Sequence, residues 1–337
     1  QLDILQKAFL SVTAGKTMAV YIHGQSGMGK SAFIRYFLDK LQNQEKELVI
    51  LTGRCYEHEF VPYKALDSLM DSLASYLSDL TKGEKALIIP KDINALARIF
   101  PVFNQISEIS EASSELLDQL NFQQLRQRAF IALRNLLIQL GKEKLLVLYV
   151  DDLQWGDSDS AILLQEILRI PNAPRLLFLA SYRSEDALGS ELLQILLHED
   201  VDMLAQQQEI ELKALSLEES YKLAKTLLDD MSKEQAEVIA AEAGGSPFFI
   251  GEFVRYSQQG HNFTHTTAEK MVKNDLNSLD EVIQRNIKEL PETARNLLEI
   301  IAIAGQPIDR KIAKQAANIK DEDQVVVINV LRANRLV

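Results

Sequence analysis

The sequence predicts an α/β fold with a mainly parallel sheet, followed by an all-α region. Short apolar runs that do not alternate with polar residues are typical of strands buried on both faces. Helical stretches separate these runs, as the crossovers between parallel strands require. The predicted strands cover residues 18–22, 48–52, 145–150 and 176–181, with a fifth short strand at 209–212. After about residue 213 only helical patterns remain.

Composition narrows the class of protein. The length of 337 residues predicts two or three domains, and the 36 basic against 48 acidic residues give a net charge of -12. Such a surface repels nucleic acid and anionic membranes. No apolar run approaches the ~18 residues of a membrane span. We therefore expect a cytoplasmic protein, consistent with Cys55 being the one cysteine in the sequence.

A phosphate-binding loop is predicted at residues 24–31, which match the pattern G-x-x-x-x-G-K-[ST] between a strand and an amphipathic helix. Its glycines allow a tight turn in which backbone N–H groups face phosphate oxygens, helped by the helix N-terminus. The candidate nucleotide-binding residues are Gly24, Gln25, Ser26, Gly27, Met28, Gly29, Lys30 and Ser31. Lys30 is expected to reach the β- and γ-phosphates of ATP, and Ser31 to bind Mg²⁺. The apolar stripe predicted for the following helix consists of Ala32, Phe33, Tyr36, Phe37 and Leu41.

Acidic residues end the third predicted strand. Asp151 and Asp152 directly follow the buried run at 145–150. We expect Asp151 to share the Mg²⁺ ion with Ser31, and Asp152 to orient the attacking water. Arg183, just past the fourth strand, is expected to reach the γ-phosphate and stabilise its charge or sense its presence. Asp152 and Arg183 are therefore the candidate catalytic residues.

These motifs together resemble the STAND class of signalling ATPases, which is close to the AAA+ group. The resemblance is carried by residues 24–31, by Val150-Asp151-Asp152-Leu153-Gln154-Trp155-Gly156-Asp157, by Ser181-Tyr182-Arg183 and by Gly244-Gly245-Ser246-Pro247-Phe248-Phe249. It covers nearly the whole chain and points to the branch found beside bacterial serine/threonine kinases, adenylyl cyclases and transcription regulators. Residues 53–57 with 61–63 look most like the kinase-fused members.

The resemblance implies a domain order and a role for one proline. Residues 1–212 would form a P-loop nucleotide-binding domain with a helical insertion at about 60–140, and residues 213–278 a helical lid. Pro247 would pack on the adenine of bound ATP or ADP. Residues 279–337 would be a truncated winged-helix domain. Some members carry a phosphate-contacting histidine in that domain, and none lies between 279 and 337 here. The polar stretch at 258–267, with His261 and His265, is predicted to be a linker.

The resulting functional hypothesis is an ATP-driven regulatory switch with slow hydrolysis. The chain starts at Gln1 and ends at Val337, which we interpret as cuts within a longer protein. Its expected partners are flanking domains of the same chain, proteins bound by C-terminal repeats, and further copies of itself in a nucleotide-dependent way. Two alternatives stay open: a DNA-binding AAA+ or winged-helix ATPase acting as a transcription regulator, and a nucleotide-binding scaffold that does not hydrolyse. Three acids at 321–323 argue against DNA binding by this segment.

Overall fold

The computed structural model describes residues 1–57, 62–106, 120–198, 203–228, 231–258, 287–288, 290–304, 308–320 and 323–333. The chain divides into two compact units, of which the first comprises Gln1–Tyr56 and Phe60–Leu212. The second comprises Glu57–Glu59 and Lys213–Val337. The predicted boundary near residue 278, the predicted linker with His261 and His265, and most of the segment from 258 to 267 lie outside the described residues.

A five-stranded sheet forms the centre of the first unit. Its strands, in chain order, are β1 (Met18–Gly24), β2 (Leu48–Arg54), β3 (Leu145–Asp151), β4 (Leu176–Arg183) and β5 (Gln206–Glu211). The order across the sheet is β2-β3-β4-β1-β5, and every neighbouring pair is parallel. The predicted α/β class with a mainly parallel sheet is therefore confirmed. The carboxyl ends of β1, β2, β3 and β4, where the predicted chemical groups begin, share one edge of the sheet.

Helices cover both faces of this sheet, as the unbroken apolar strands require. They are α1 (Leu2–Thr13), α2 (Lys30–Gln44), α3 (Lys64–Asp79), α4 (Lys82–Ile88), α5 (Ile93–Ile99), α6 (Phe122–Glu143), α7 (Ser158–Leu168) and α8 (Glu191–His198). Helices α1 and α2 pack with one face of the sheet, and α3, α6, α7 and α8 pack with the other. The described part of the segment from 60 to 140 is mostly helical.

The apolar stripe of α2 was predicted wrongly at two positions. Tyr36 is 60% exposed and Ala32 is also exposed. The buried residues are Ile34, Phe37, Leu38 and Leu41. They follow the i, i+3, i+4, i+7 spacing of a single helix face. The helix therefore packs on the sheet with the face that also carries the buried Lys30.

The second unit is helical in its described residues. Helices α9 (Leu217–Leu227), α10 (Lys233–Glu242) and α11 (Pro247–Gln258) surround one apolar cluster. Helices α12 (Glu292–Ala304), α13 (Arg310–Ala316) and α14 (Gln324–Ala333) surround another. Ser216 with Glu219, and Ser232 with Gln235, form the capping boxes of α9 and α10. The described residues between 287 and 333 include no strand, so the winged helix stays a prediction.

Two glycines link α10 to α11, and they differ in what surrounds them. Gly244 (φ +57) would have nothing within 4 Å of an added Cβ, whereas a Cβ on Gly245 (φ +77) would lie 2.4 Å from the Leu215 carbonyl oxygen. The Leu215 N–H also donates to the Gly245 carbonyl at 2.8 Å. The backbone at Gly245 is thus pressed against residue 215.

This difference gives a matched pair of variants. We expect Gly244→Ala to lower the free energy of unfolding by about 1 kcal/mol, the usual cost of a left-handed non-glycine residue. We expect Gly245→Ala to cost about 3 kcal/mol, since backbone overlap adds to that conformational cost. Urea denaturation of both variants measures the difference. Equal losses of stability would contradict the predicted close approach.

Among the described residues, no helix combines the length and apolar character needed to cross a membrane.

Candidate functional site

The predicted phosphate loop is a tight turn between β1 and α2. Gly24 has a φ of +153°, and Gly27 and Gly29 have φ values of +80° and +81°. A Cβ on Gly24 would lie 2.4 Å from the Leu212 carbonyl oxygen, so only glycine fits there. Gly29 is the residue before the first helical residue, Lys30. The loop therefore has the backbone form by which such motifs direct N–H groups at phosphate oxygens.

Lys30 is folded into this loop. Its ammonium donates hydrogen bonds to the Gly24 carbonyl at 2.7 Å and to the Gln25 carbonyl at 2.9 Å. The side chain is buried, and burial lowers the pKa of Lys30, while the Glu185 carboxylate acts in the opposite direction. Lys30 therefore lies at the mouth of the loop with an acid close to its charge.

Ser31 and Asp151 meet although 120 residues separate them. The Ser31 hydroxyl lies 2.9 Å from each carboxylate oxygen of Asp151. Ser181, at the end of β4, donates a hydrogen bond to the same carboxylate. Burial, and then the Asp151 charge, raise the pKa of Tyr149, so its phenol stays neutral beside this cluster. Two oxygen-bearing side chains, Ser31 and Asp151, are thus placed side by side, as Mg²⁺ ligands need to be.

Asp152 points to a different set of partners. Its backbone is left-handed (φ +56°), and its N–H donates to the Ser181 hydroxyl at 3.2 Å. Arg54, from the end of β2, donates to one carboxylate oxygen at 3.0 Å. Gln154 donates to the other oxygen at 3.2 Å, and the Arg183 Nε lies 3.8 Å from it. Both oxygens of Asp152 are therefore engaged by side chains of the protein.

The two arginines beside Asp152 are held differently. Burial acts against the charged form of Arg54, but the carboxylates of Asp152 and Asp151 outweigh it and raise the pKa of Arg54. The Arg183 guanidinium lies 6.0 Å from the ring centroid of Trp155, a cation–π contact. Its backbone N–H donates to the Gln154 side chain at 3.2 Å. Arg183 is thus positioned from two sides within reach of Asp152.

A further carboxylate contacts the loop directly. The backbone N–H of Ser26 donates to Glu185 Oε1 at 2.9 Å. Glu185 belongs to the turn that follows β4, and the N–H of Ser184 in this turn donates to the Gly24 carbonyl at 3.3 Å. The segment after β4 therefore lies against the first residues of the phosphate loop.

Most of the predicted site residues are brought to one place. The loop residues 24–31, Asp151, Asp152 and Arg183 all lie at the carboxyl edge of the sheet. Pro247 lies in the second unit, where it is the first residue of α11. The buried Ser246 hydroxyl accepts the Phe249 N–H at 3.4 Å there, which caps this helix. The geometry at Pro247 is thus that of a helix start.

Sequence reasoning missed four residues that contact the predicted ones. They are Arg54, Gln154, Ser181 and Glu185. Two of these follow from the parallel pairing, since Arg54 ends β2 and pairs in register with Asp151, and Ser181 lies near the end of β4, beside β1. A predicted strand order would therefore have identified Arg54 and Ser181. No sequence signal identifies the contact of Glu185.

The fold, together with the residues at the carboxyl edge of the sheet, indicates the class of protein. The profile of an AAA ATPase domain matches residues 1–179, and the chain belongs to that family. The expected ATPase class is thereby confirmed. No curated protein matches the chain significantly.

Two kinds of solved structure are similar to the chain at low identity. A signal transduction ATPase with numerous domains from Pyrococcus horikoshii, which carries a tetratricopeptide repeat sensor, shares 15% identity with a TM-score of 0.48. The alignment covers 96% of this chain and 38% of that protein, so the chain spans about two fifths of its length. A RuvB variant from Thermotoga maritima shares 14% identity with a TM-score of 0.40, covering 98% of this chain and 85% of that one. Similarity at this level carries no information on substrates or partners.

Proposed function

We propose that the chain is an ATP-binding regulatory switch of the STAND type, with Mg²⁺ as cofactor and slow hydrolysis, inside a larger signalling protein. The observation that supports it best is the cluster of Ser31, Asp151 and Ser181 directly beside the phosphate loop. A phosphate loop next to an acidic strand end is the arrangement that binds nucleotide with a divalent cation.

The roles follow from the contacts of the first unit. Lys30 would exchange its carbonyl partners for the β- and γ-phosphate oxygens of ATP. Ser31 and Asp151 would hold Mg²⁺, which needs only one or two protein oxygens when phosphates complete its shell. When bound, this ion supplies positive charge against the phosphates. Arg183 would stabilise the charge of the γ-phosphate.

Slow hydrolysis is supported by the state of Asp152. A carboxylate that orients an attacking water must accept a hydrogen bond from it and then its proton. Here one oxygen already accepts from Arg54 at 3.0 Å and the other from Gln154 at 3.2 Å. Each oxygen keeps a second lone pair, so a water can still bind, but it competes with these two donors for the carboxylate. The same observation favours the second candidate, a scaffold that binds nucleotide without hydrolysing it.

The finer parts of the proposal rest on the resemblance of the motifs. Residues 213–278 would act as a lid with Pro247 on the adenine, and 279–337 would be the first part of a winged helix. A serine/threonine kinase or similar output domain would lie outside this segment. Flanking domains and repeat-bound proteins would read the nucleotide state, with self-association as a further output.

Turnover and nucleotide exchange test the switch together. We expect steady-state ATP hydrolysis well below the ~1–100 s⁻¹ of kinases, because Asp152 is engaged and a missing arginine finger costs ~10³–10⁵ in rate. Release of a fluorescent ADP analogue is expected to be slow and to become about tenfold faster in Pro247→Ala, since the lid would lose its contact with adenine.

Pro291→Ala is the matched control for exchange, because Pro291 directly precedes α12 in the same unit. It should leave the release rate unchanged. Fast multiple turnover, with release that does not respond to Pro247→Ala, would indicate an ordinary ATPase instead of a switch. Tight ATP binding with no product formed would favour the non-hydrolysing scaffold.

A further inference from the structure

We propose that Glu185 competes with nucleotide phosphate for the phosphate loop and must leave it before ATP is bound. This inference deepens the proposed function and rests on it. It starts from the hydrogen bond between the Ser26 N–H and Glu185 Oε1, at 2.9 Å.

The Ser26 N–H belongs to the set that this motif directs at phosphate. Ser26 is the third residue of the loop, between Gly24 and Gly27, and loop N–H groups cradle the phosphates in such motifs. A carboxylate and a phosphate offer the same kind of anionic oxygen to an N–H donor. One N–H cannot donate fully to both, so the Glu185 contact and phosphate binding exclude each other.

Charge strengthens the competition. Of the charged groups that act on Lys30, Glu185 stabilises its ammonium more than Asp152 or Asp151 does. Lys30 is the residue expected to reach the β- and γ-phosphates. Glu185 therefore balances the charge of the loop lysine and also occupies a loop N–H, and an incoming phosphate would be repelled by it at both places.

The hydrogen bond between Glu185 and Ser26 can be broken at low cost in free energy. Glu185 is exposed, so its carboxylate returns to water at low cost when it leaves the loop. It lies on a short turn between β4 and the 3-10 turn Ala187–Gly189, and the side chain of Leu188 in that turn is 90% exposed. The turn itself is held, since Ala187 packs on the core and its carbonyl accepts from the Gln194 side chain at 3.2 Å. Only the side chain of Glu185 therefore has to move when it leaves the loop.

The expected change in ATP affinity depends on the fraction of molecules in which Glu185 occupies the loop. If Glu185 occupies the loop about 90% of the time, the apparent Kd for ATP is about tenfold above its intrinsic value. Glu185→Gln keeps the size of the side chain and removes its charge, so we expect ATP with Mg²⁺ to bind roughly 3- to 10-fold more tightly. Glu185→Asp shortens the side chain by one methylene group and should weaken the contact with Ser26, so this variant should also bind ATP more tightly.

Asp186→Asn is the matched control. It removes the same charge one residue further along, and the Asp186 side chain makes no cap hydrogen bond to the following turn. Any long-range effect of net charge on ATP binding is equal in both variants, so only the local contact differs. The ATP affinity of Asp186→Asn should equal that of the wild type within about twofold.

Calorimetric titration of ATP with Mg²⁺ into the wild type and the three variants decides the question. Tighter binding in Glu185→Gln and Glu185→Asp, with Asp186→Asn unchanged, supports the inference. Equal or weaker binding in both Glu185 variants, beside a wild type that binds ATP, overturns it and leaves the proposed function intact. If neither the wild type nor any variant binds ATP, the proposed function fails and this inference fails with it.

Discussion

Lys30→Ala is expected to abolish measurable ATP binding, with a loss of at least about 100-fold in affinity. Lys30 supplies the charge-assisted hydrogen bonds to the β- and γ-phosphates, and such bonds contribute about 1.5–3 kcal/mol each. Calorimetry with ATP and Mg²⁺ measures the loss.

Lys40→Ala is the control for this variant. Lys40 lies on the same helix, α2, and is exposed. Lys40→Ala changes the net charge equally, but Lys40 lies ten residues after Lys30, so ATP affinity should stay within about twofold of the wild type. Unchanged affinity in Lys30→Ala would contradict the assignment of the phosphate loop.

Substitution of the two neighbouring acids, Asp151 and Asp152, is expected to impair different steps, metal-dependent binding in one case and hydrolysis in the other. Asp151→Asn should remove most of the Mg²⁺ dependence of ATP binding, because Asp151 contacts Ser31 and an amide is a poorer ligand for this cation. Asp152→Asn should keep the affinity within about threefold and lower hydrolysis by roughly 100-fold, the lower end of what a positioned proton acceptor contributes. The distinction follows from their partners, since Asp152 faces Arg54 instead of Ser31.

The measurement is a pair of ATP titrations, with Mg²⁺ and with EDTA, beside single-turnover hydrolysis. The ratio of the two dissociation constants reports the metal contribution and should fall towards one only in Asp151→Asn. Asparagine nearly preserves the volume of both side chains, so each variant is the structural control for the other. Equal losses of affinity in the two variants would refute the division of roles.

The sequence was informative wherever a function depends on local backbone. The residues from Gly24 to Ser31 are adjacent in the chain, and the geometry they need is set by glycine and by the start of a helix. Asp151 was predictable because an acid at the end of a buried strand lies at the edge where ligands bind. Strands β1, β3 and β4 were predictable because they are apolar and buried on both faces. Strand β2, at the edge of the sheet, is buried only at alternate positions, but its run from Leu48 to Leu51 is apolar throughout.

The missed residues depend on which strands are neighbours. Strand β4 lies between β1 and β3, and this order brings Ser181 to Asp151. Strand β2 lies beside β3, and this order brings Arg54 to Asp152. Periodicity contains no information on lateral order. The error at Tyr36 has a related cause, since the direction from which a helix meets its sheet selects between two overlapping apolar stripes.

The close contact between Gly24 and Leu212 links the phosphate loop to the end of the first unit. The Leu212 N–H donates to the His23 carbonyl at 2.7 Å, and its own carbonyl lies so close to Gly24 that a methyl group would not fit. Leu212 is the last residue of the first unit, and Lys213 opens the second. One covalent connection between the units thus starts at a residue that contacts the first residue of the loop. A rotation of the peptide plane at Gly24 would therefore displace the backbone of Leu212 directly. The displacement would pass to Lys213 through the main chain, without any intermediate side chain.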